Sequence, residues 1–200
     1  MGKVYVDISM SLDGYITGKD DSTQQPLGIG GESLQNWMFQ GSFASEYNDF
    51  FTMSEVNRRI FDHPIRSLGA MMIGKRTFDI VNGWNGSHPI SGIPIVVVTH
   101  EPPNEYAEED TTFHFVSGIH KAMDTARQLA EDKEISIGTA SIAQQCLAAK
   151  LVDELHLHIA PVLLGDGKNL FARSNQQTPL KLIKAIDGDV VTHLFYQVIS

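Results

Sequence analysis

The stretch ISIGTASIAQQCLAAKLVDEL, residues 135–155, decides the reading of the fold. Ile135 and Ile137 form a short apolar run that stops at Gly138. From Ala140 the pattern changes to helical spacing, with Ile142, Cys146 and Leu147 on one side. DELHLHIAPVLLG, 153–165, then reads as a long strand. Strand, turn, helix and strand in this order imply two parallel strands joined by a crossover helix. The turn Gly138-Thr139-Ala140-Ser141 holds one glycine where dinucleotide-binding turns hold two or three. Taken alone it admits two readings, a phosphate cradle or an ordinary β-to-α connection.

The same alternation extends outward. KVYVDISMSL opens the chain as a strand, with Val4, Val6, Ile8 and Met10 on one face. GKDDSTQQPLGIGG is a polar, glycine-rich loop long enough to suggest a function. SEYNDFFTMSEVNRRIFD, 45–62, reads as a helix capped by Ser45. LGAMMIG (68–74), IPIVVVTH (93–100) and TTFHFVS (111–117) read as strands, and KRTFDIV as a short helix. GIHKAMDTARQLAEDK, 118–133, is amphipathic, with Ser117 as the expected cap. The chain closes with two strands around Asp187-Gly188, a hairpin signal. No repeat or linker interrupts the pattern, so residues 1–200 read as one α/β domain.

Composition narrows the function. The net charge of −9 argues against broad contact with nucleic acid or an anionic membrane. The longest clean apolar run, IPIVVV, is far short of a membrane span. The N-terminus shows no apolar leader, and the single Cys146 fits a reducing, cytoplasmic setting as buried filler.

Three strand ends carry small or polar residues: IGKRT (73–77), VVTH (97–100) and IGTAS (137–141). In open α/β sheets such ends line the ligand crevice. A helix that starts there offers free N–H groups to an anion. Lys75, Arg76 and Thr77 either serve a ligand with two separated phosphate groups, such as NADPH, or are solvated charges and a cap. GIGGES, 28–33, follows no strand and is no Rossmann turn. His156 and His158 share a strand face; a solvated face or subunit contact is expected there, and no metal. Asp13 is either a turn former or a carboxylate at the mouth of the crevice.

SLDGYI, MIGKRTF with its following tryptophan, PIVVVTH and IGTASIAQQCLAAKLVDELHLHIAPVLLGDGKNLF together resemble the dihydrofolate-reductase-like superfamily. The nearest branch is the reductase domain of riboflavin biosynthesis, and the resemblance covers nearly the whole chain. It implies a mixed, mostly parallel central sheet of about eight strands flanked by helices, with a C-terminal antiparallel hairpin. It implies an NADPH-dependent reductase of a small heterocycle, similar to 5-amino-6-(5-phosphoribosylamino)uracil reductase, in a homodimer. Dihydrofolate reduction and ligand binding without turnover are the alternatives. Carried over by position, Gly74, Lys75, Arg76 and Thr77 resemble the phosphate-binding turn, with Lys75 and Arg76 at the 2′-phosphate. Thr99 and His100 resemble the adenosine border, and Gly138, Thr139, Ala140, Ser141 and Ile142 the pyrophosphate turn. Ser9 and Ile16 resemble positions beside the nicotinamide, closed by Leu164, Gly165 and Gly167. Asp13 is the candidate for orienting substrate or relaying a proton, and Trp37 either covers the pocket or only packs.

The departures are specific. The acidic residue that riboflavin reductases tend to carry before paired glycines is replaced by Ile137-Gly138-Thr139. A zinc deaminase half is ruled out by the single cysteine. Dihydrofolate reductases hold the pterin with a carboxylate on the first helix; Glu46, Asp49 and Glu55 lie in the comparable helix, and none of them aligns with it by position. The superfamily's paired glycines often meet at a cis bond, which predicts a cis Gly138–Thr139 bond with the following amides facing the pyrophosphate.

Overall fold

A computed structural model describes residues 2–101, 112–171 and 177–199. The chain begins with β1 (Val4–Ser11) and β2 (Tyr15–Thr17), then a 3-10 helix at Gly31–Met38. A small ribbon of β3 (Phe43–Ala44) and β4 (Thr52–Met53) precedes α1 (Glu55–Ile65), β5 (Leu68–Gly74) and α2 (Lys75–Ile80). There follow β6 (Ile95–Val98), β7 (Phe113–Val116), α3 (Ile119–Ala130), β8 (Glu134–Ile137) and α4 (Ala140–Ala148). The last elements are β9 (Glu154–Ala160), β10 (Lys168–Asn169), β11 (Leu180–Asp187) and β12 (Thr192–Val198).

Eight strands form one sheet in the order β11-β12-β9-β1-β8-β5-β6-β7. The six from β9 to β7 are mutually parallel, and β12 and β11 add an antiparallel hairpin at one edge. This is the dihydrofolate-reductase-like architecture that the sequence predicts. Val6 pairs with Ile137 on one side and Leu155 on the other, which centres β1 in the sheet. From β1 the chain moves to β5, β6 and β7, then returns to place β8 between β1 and β5. The crevice lies at the carboxyl ends beside that reversal.

Strand periodicity sorts the side chains by face. Val4, Val6, Ala70, Met72, Ile135 and Leu155 pack against Ala122, Ala126 and Met123 of α3 and Ile142 and Cys146 of α4. The opposite face is shared by two smaller clusters, one around Ile73, Phe78, Ile95 and Val97, the other around Trp37, Met53 and Val191.

Four local expectations are corrected. The helix expected from 45 starts at Glu55, capped by Ser54, whose Oγ accepts from the Asn57 N–H at 3.3 Å. Ser45 lies outside that helix, where its hydroxyl donates to the buried Asp62 carboxylate at 2.6 Å and accepts from the Tyr47 N–H at 3.1 Å. α3 begins after Gly118, whose φ of 88° suits glycine; the Ser117 hydroxyl pairs instead with His100 Nδ1 at 3.0 Å. β9 stops at Ala160, before Pro161, which has no N–H for the ladder. No peptide bond among the described residues is cis, so the Gly138–Thr139 bond is trans. Thr139 takes an extended conformation (φ −140°, ψ 145°) that a β-branched residue adopts without strain.

Candidate functional site

A cavity of about 620 Å³ opens at the carboxyl edge of the sheet. Its walls are mainly apolar: Ile16, Leu27, Leu34, Met71, Ile73 and Trp84. A second cavity of about 160 Å³ is lined by Lys75, Thr99, His100, Ser141 and Ile142. Gly74, Arg76 and Ser141 line both, so the two cavities adjoin at this turn and together make the crevice.

The turn after β8 sits at the junction. The Gly74 N–H donates to Thr139 Oγ1 at 3.1 Å, which ties the β5 turn to the β8 turn. The Thr139 hydroxyl is thus turned toward Gly74, and α4 has no side-chain cap. The first intrahelical bond is Ala143 N–H to Thr139 C=O, 2.9 Å. The Ala140, Ser141 and Ile142 amides precede it and are free for a ligand at the positive end of the helix. All three residues line the crevice. A Cβ on Gly74 would stand 3.1 Å from Ser141 Oγ, so a larger residue here would crowd the start of α4.

The two cations of GKRT part company. Lys75 lines the small cavity and pairs with Asp79 one turn along α2. Arg76 reaches the large cavity and grips Asp21, with Nη2 donating to Oδ1 at 2.7 Å and Nε to Oδ2 at 3.2 Å. Lys168 Nζ donates to both oxygens of the same carboxylate at 2.9 Å. Burial alone would raise the Asp21 pKa; the Arg76 and Lys168 bonds outweigh it and hold the carboxyl below its ordinary value. Thr77 lines the large cavity.

Ser9 and Ile16 also line the large cavity. Trp37 does not. Its indole N–H donates to Ser9 Oγ at 2.9 Å, and its ring packs against His158, His193 and Phe61 with only 3% of its surface exposed. Trp37 therefore packs behind the wall and holds Ser9.

Asp13 lies outside both linings. Its carboxylate accepts from Ser11 Oγ (2.5 Å), Leu164 N–H (3.1 Å) and Gly165 N–H (2.8 Å). The Ser11 bond, with the two amides, lowers its pKa. This clasp draws the 164–165 segment against the Asp13-Gly14 turn, a positioning role. Leu164, Gly165 and Gly167 form the clasped strip rather than the cavity wall. A Cβ on Gly167 would stand 2.0 Å from the Thr17 carbonyl oxygen, so that close approach requires glycine.

The H-x-H pair is buried, not solvated: His156 and His158 lie under β12 and Trp37. Asn57 Nδ2 faces the Trp37 carbonyl at 3.5 Å, so its Oδ1 accepts from His193 Nε2 at 3.0 Å. His193 Nδ1 then accepts from His158 Nδ1 (2.7 Å), and His158 Nε2 donates to Asp7 Oδ1 (3.1 Å). Burial, with the nearby His158 charge, pushes His193 down to about 3, in keeping with that neutral acceptor. Burial would raise Asp7, but His158 and His156 outweigh it and hold the carboxylate ionised. No group that would hold a metal occurs among the described residues.

Sequence reasoning missed Asp21, Lys168, Trp84 and the histidine network as members of this region. Only the length of the 17–43 loop and the tryptophan after GKRTF pointed toward two of them. Asn82, Gly83, Trp84 and Asn85 all take left-handed backbone (φ 47–54°), a strained turn that brings Trp84 to the cavity.

The fold and crevice define a dihydrofolate-reductase-like protein. The chain belongs to the RibD C-terminal domain family, which matches residues 2–193. It is 25% identical over 185 residues to the uncharacterized protein YwjB of Bacillus subtilis (strain 168), covering 90% of this chain and 88% of that one. A putative riboflavin biosynthesis protein from Shewanella sp. PV-4 superimposes with a TM-score of 0.71 at 21% identity, over 100% of both chains. Dihydrofolate reductase from Enterococcus faecalis, solved with NADP(H), gives 0.60 at 10% identity, over 100% of this chain and 98% of that one.

Proposed function

We propose that this protein is an NADPH-dependent reductase of a small ring compound. The observation that carries the reading is the pair of adjoining cavities, with the free α4 amides at their junction and Lys75 in the smaller one. These features suit a dinucleotide: the Ala140, Ser141 and Ile142 amides for the pyrophosphate, and Lys75, Thr99 and His100 for the adenosine end. Ser9 and Ile16 border the space left for nicotinamide and substrate. When bound, NADPH supplies the hydride; the protein supplies orientation and a dry apolar wall. Ser9 is held in place by Trp37, and the Asp13 clasp fixes the loop beyond it.

Family membership and the reductases among its structural neighbours support an oxidoreductase. For the alternative, dihydrofolate reduction, the acids near α1 do not serve: Glu46, Asp49 and Glu55 lie outside the cavity lining, and the carboxylates that do line it are Asp21 and Glu32. A cytoplasmic setting fits the free, buried Cys146. No helix among the described residues is long and apolar enough to cross a membrane. For the proposed homodimer, β11 offers Leu180, Leu182 and Ile183, all exposed; light scattering is expected to show a dimer that Leu182→Lys dissociates.

The deciding experiment is an NADPH titration followed by melting temperature and tryptophan fluorescence. Stabilisation and quenching are expected, and no response at saturating NADPH refutes the cofactor. NADPH oxidation with a panel of quinones, pterins and pyrimidines then separates turnover from binding alone.

A further inference from the structure

The charges of the large cavity cancel. Among the described residues its charged side chains are Asp21 and Glu32 against Arg76 and Lys168. Both cations are bonded to one internal acid. Asp21 takes two bonds from Arg76 to its carboxylate and two from Lys168, and its backbone C=O accepts a further one from Arg76 Nη2 at 3.0 Å. Only 9% of the Asp21 side chain is exposed. The loop that brings it there is fixed: Gly18 N–H donates to Leu27 C=O at 2.7 Å and Ile29 N–H to Lys19 C=O at 2.8 Å.

Arg76 and Lys168 are also the cationic donors that the large cavity has for a phosphate on the substrate. Arginine and lysine around a bare cavity would make such a site. Here a resident carboxylate already fills it, and displacing Asp21 would leave a largely buried anion without partners. Glu32 adds repulsion. The remaining walls, including Met71, Ile73 and Trp84, are apolar or aromatic.

Building on the reductase reading above, we propose that the substrate of the large cavity is uncharged and carries no phosphate. It is a largely apolar ring compound with a reducible C=O or C=N group. Asp21 is the residue that sets this choice, by neutralising Arg76 and Lys168. The protein thereby parts from reductases of phosphoribosyl substrates while keeping their fold.

The test uses the full chain saturated with NADPH and titrates ribose phosphate, read by melting temperature and calorimetry. The wild type is expected to show no stabilisation. Asp21→Asn keeps the shape, frees both cations and is expected to bind ribose phosphate at least about tenfold more tightly, the worth of one charge-assisted bond. Equal binding by wild type and Asp21→Asn overturns the proposal. If the variant melts too early to assay, the wild-type arm decides: stabilisation by ribose phosphate overturns it and its absence upholds it. The NADPH titration is run first. Failure there defeats the cofactor reading, and the ribose phosphate arms are then read on the free chain, so the two failures remain distinct.

Discussion

The Thr139 hydroxyl accepts the backbone N–H of Gly74 across 65 residues of sequence, at 3.1 Å. Both groups are buried, so the bond welds the two strand ends that form the crevice junction. Thr139→Val keeps the shape but leaves the Gly74 N–H without its acceptor. The expected cost is about 1–3 kcal/mol in urea denaturation. Thr139→Ser is expected to restore most of it, and equal stability of all three proteins would mean that the turns are held by packing alone.

What was legible in the sequence follows the range of the interactions involved. The β8 turn, α4 and the two-face pattern of β1 rest on local periodicity, which Ile135, Ile142 and Val6 display directly. The C-terminal hairpin announced itself through Asp187-Gly188. Contacts between distant segments were not legible. Asp21 meets Arg76 across 55 residues and Lys168 across 147. Ser45 has the composition of a helix cap, but Asp62 takes its hydroxyl. His156 and His158 alternate as a solvated strand face would, and only β12 and Trp37, arriving from elsewhere, bury them. Likewise, Asp13 has the chemistry of a catalytic acid, and only the position of the 164–165 backbone shows where its lone pairs go.

The histidine network sets an acid limit. His193 is depressed to about 3, below its unfolded value of about 6.5, so the unfolded chain takes up that proton first. Its contribution is complete above about 6.5 and is lost as pH falls toward 3, with a slope of at most about 1.4 kcal/mol per pH unit. Asp7, also lowered, acts in the same direction below the unfolded carboxylate value of about 4. His156 is raised, so its contribution is complete below about 6.5 and is lost above it. Denaturation curves between pH 4 and 6 are therefore expected to show falling stability in the wild type and a shallower slope in His193→Gln. Parallel slopes would remove His193 from the account.

Cys146 lies wholly inside the α4 side of the core, and burial pushes its thiol up to about 12. Thiolate is the reactive form, so the native protein is expected to resist a maleimide dye at neutral pH. Labelling is expected only as fast as the chain unfolds, with full modification in denaturant. Rapid labelling of the native protein, measured by intact mass, would place the thiol at the surface.

Lys75 rather than Arg76 is expected to recognise the 2′-phosphate, and the competing interactions decide between them. The Lys75 partner, Asp79, is an exposed neighbour one helical turn away, worth about 0.3–0.5 kcal/mol and easily exchanged for a phosphate. Arg76 holds Asp21 through a two-point grip on a mostly buried carboxylate that Lys168 also clamps, and releasing it costs far more. The Lys75 and Arg76 side chains both line the small cavity, but Arg76 Nε and Nη2 are bonded to Asp21 of the 17–43 loop, Nη2 to its backbone C=O as well. Lys75→Gln should therefore weaken NADPH by about tenfold while leaving NADH nearly unchanged, as one charge-assisted contact is removed. Arg76→Ala should destabilise the Asp21 loop and weaken both cofactors alike. Dissociation constants for the two cofactors with each variant distinguish the roles, and an NADPH-selective loss in Arg76→Ala would reverse the assignment.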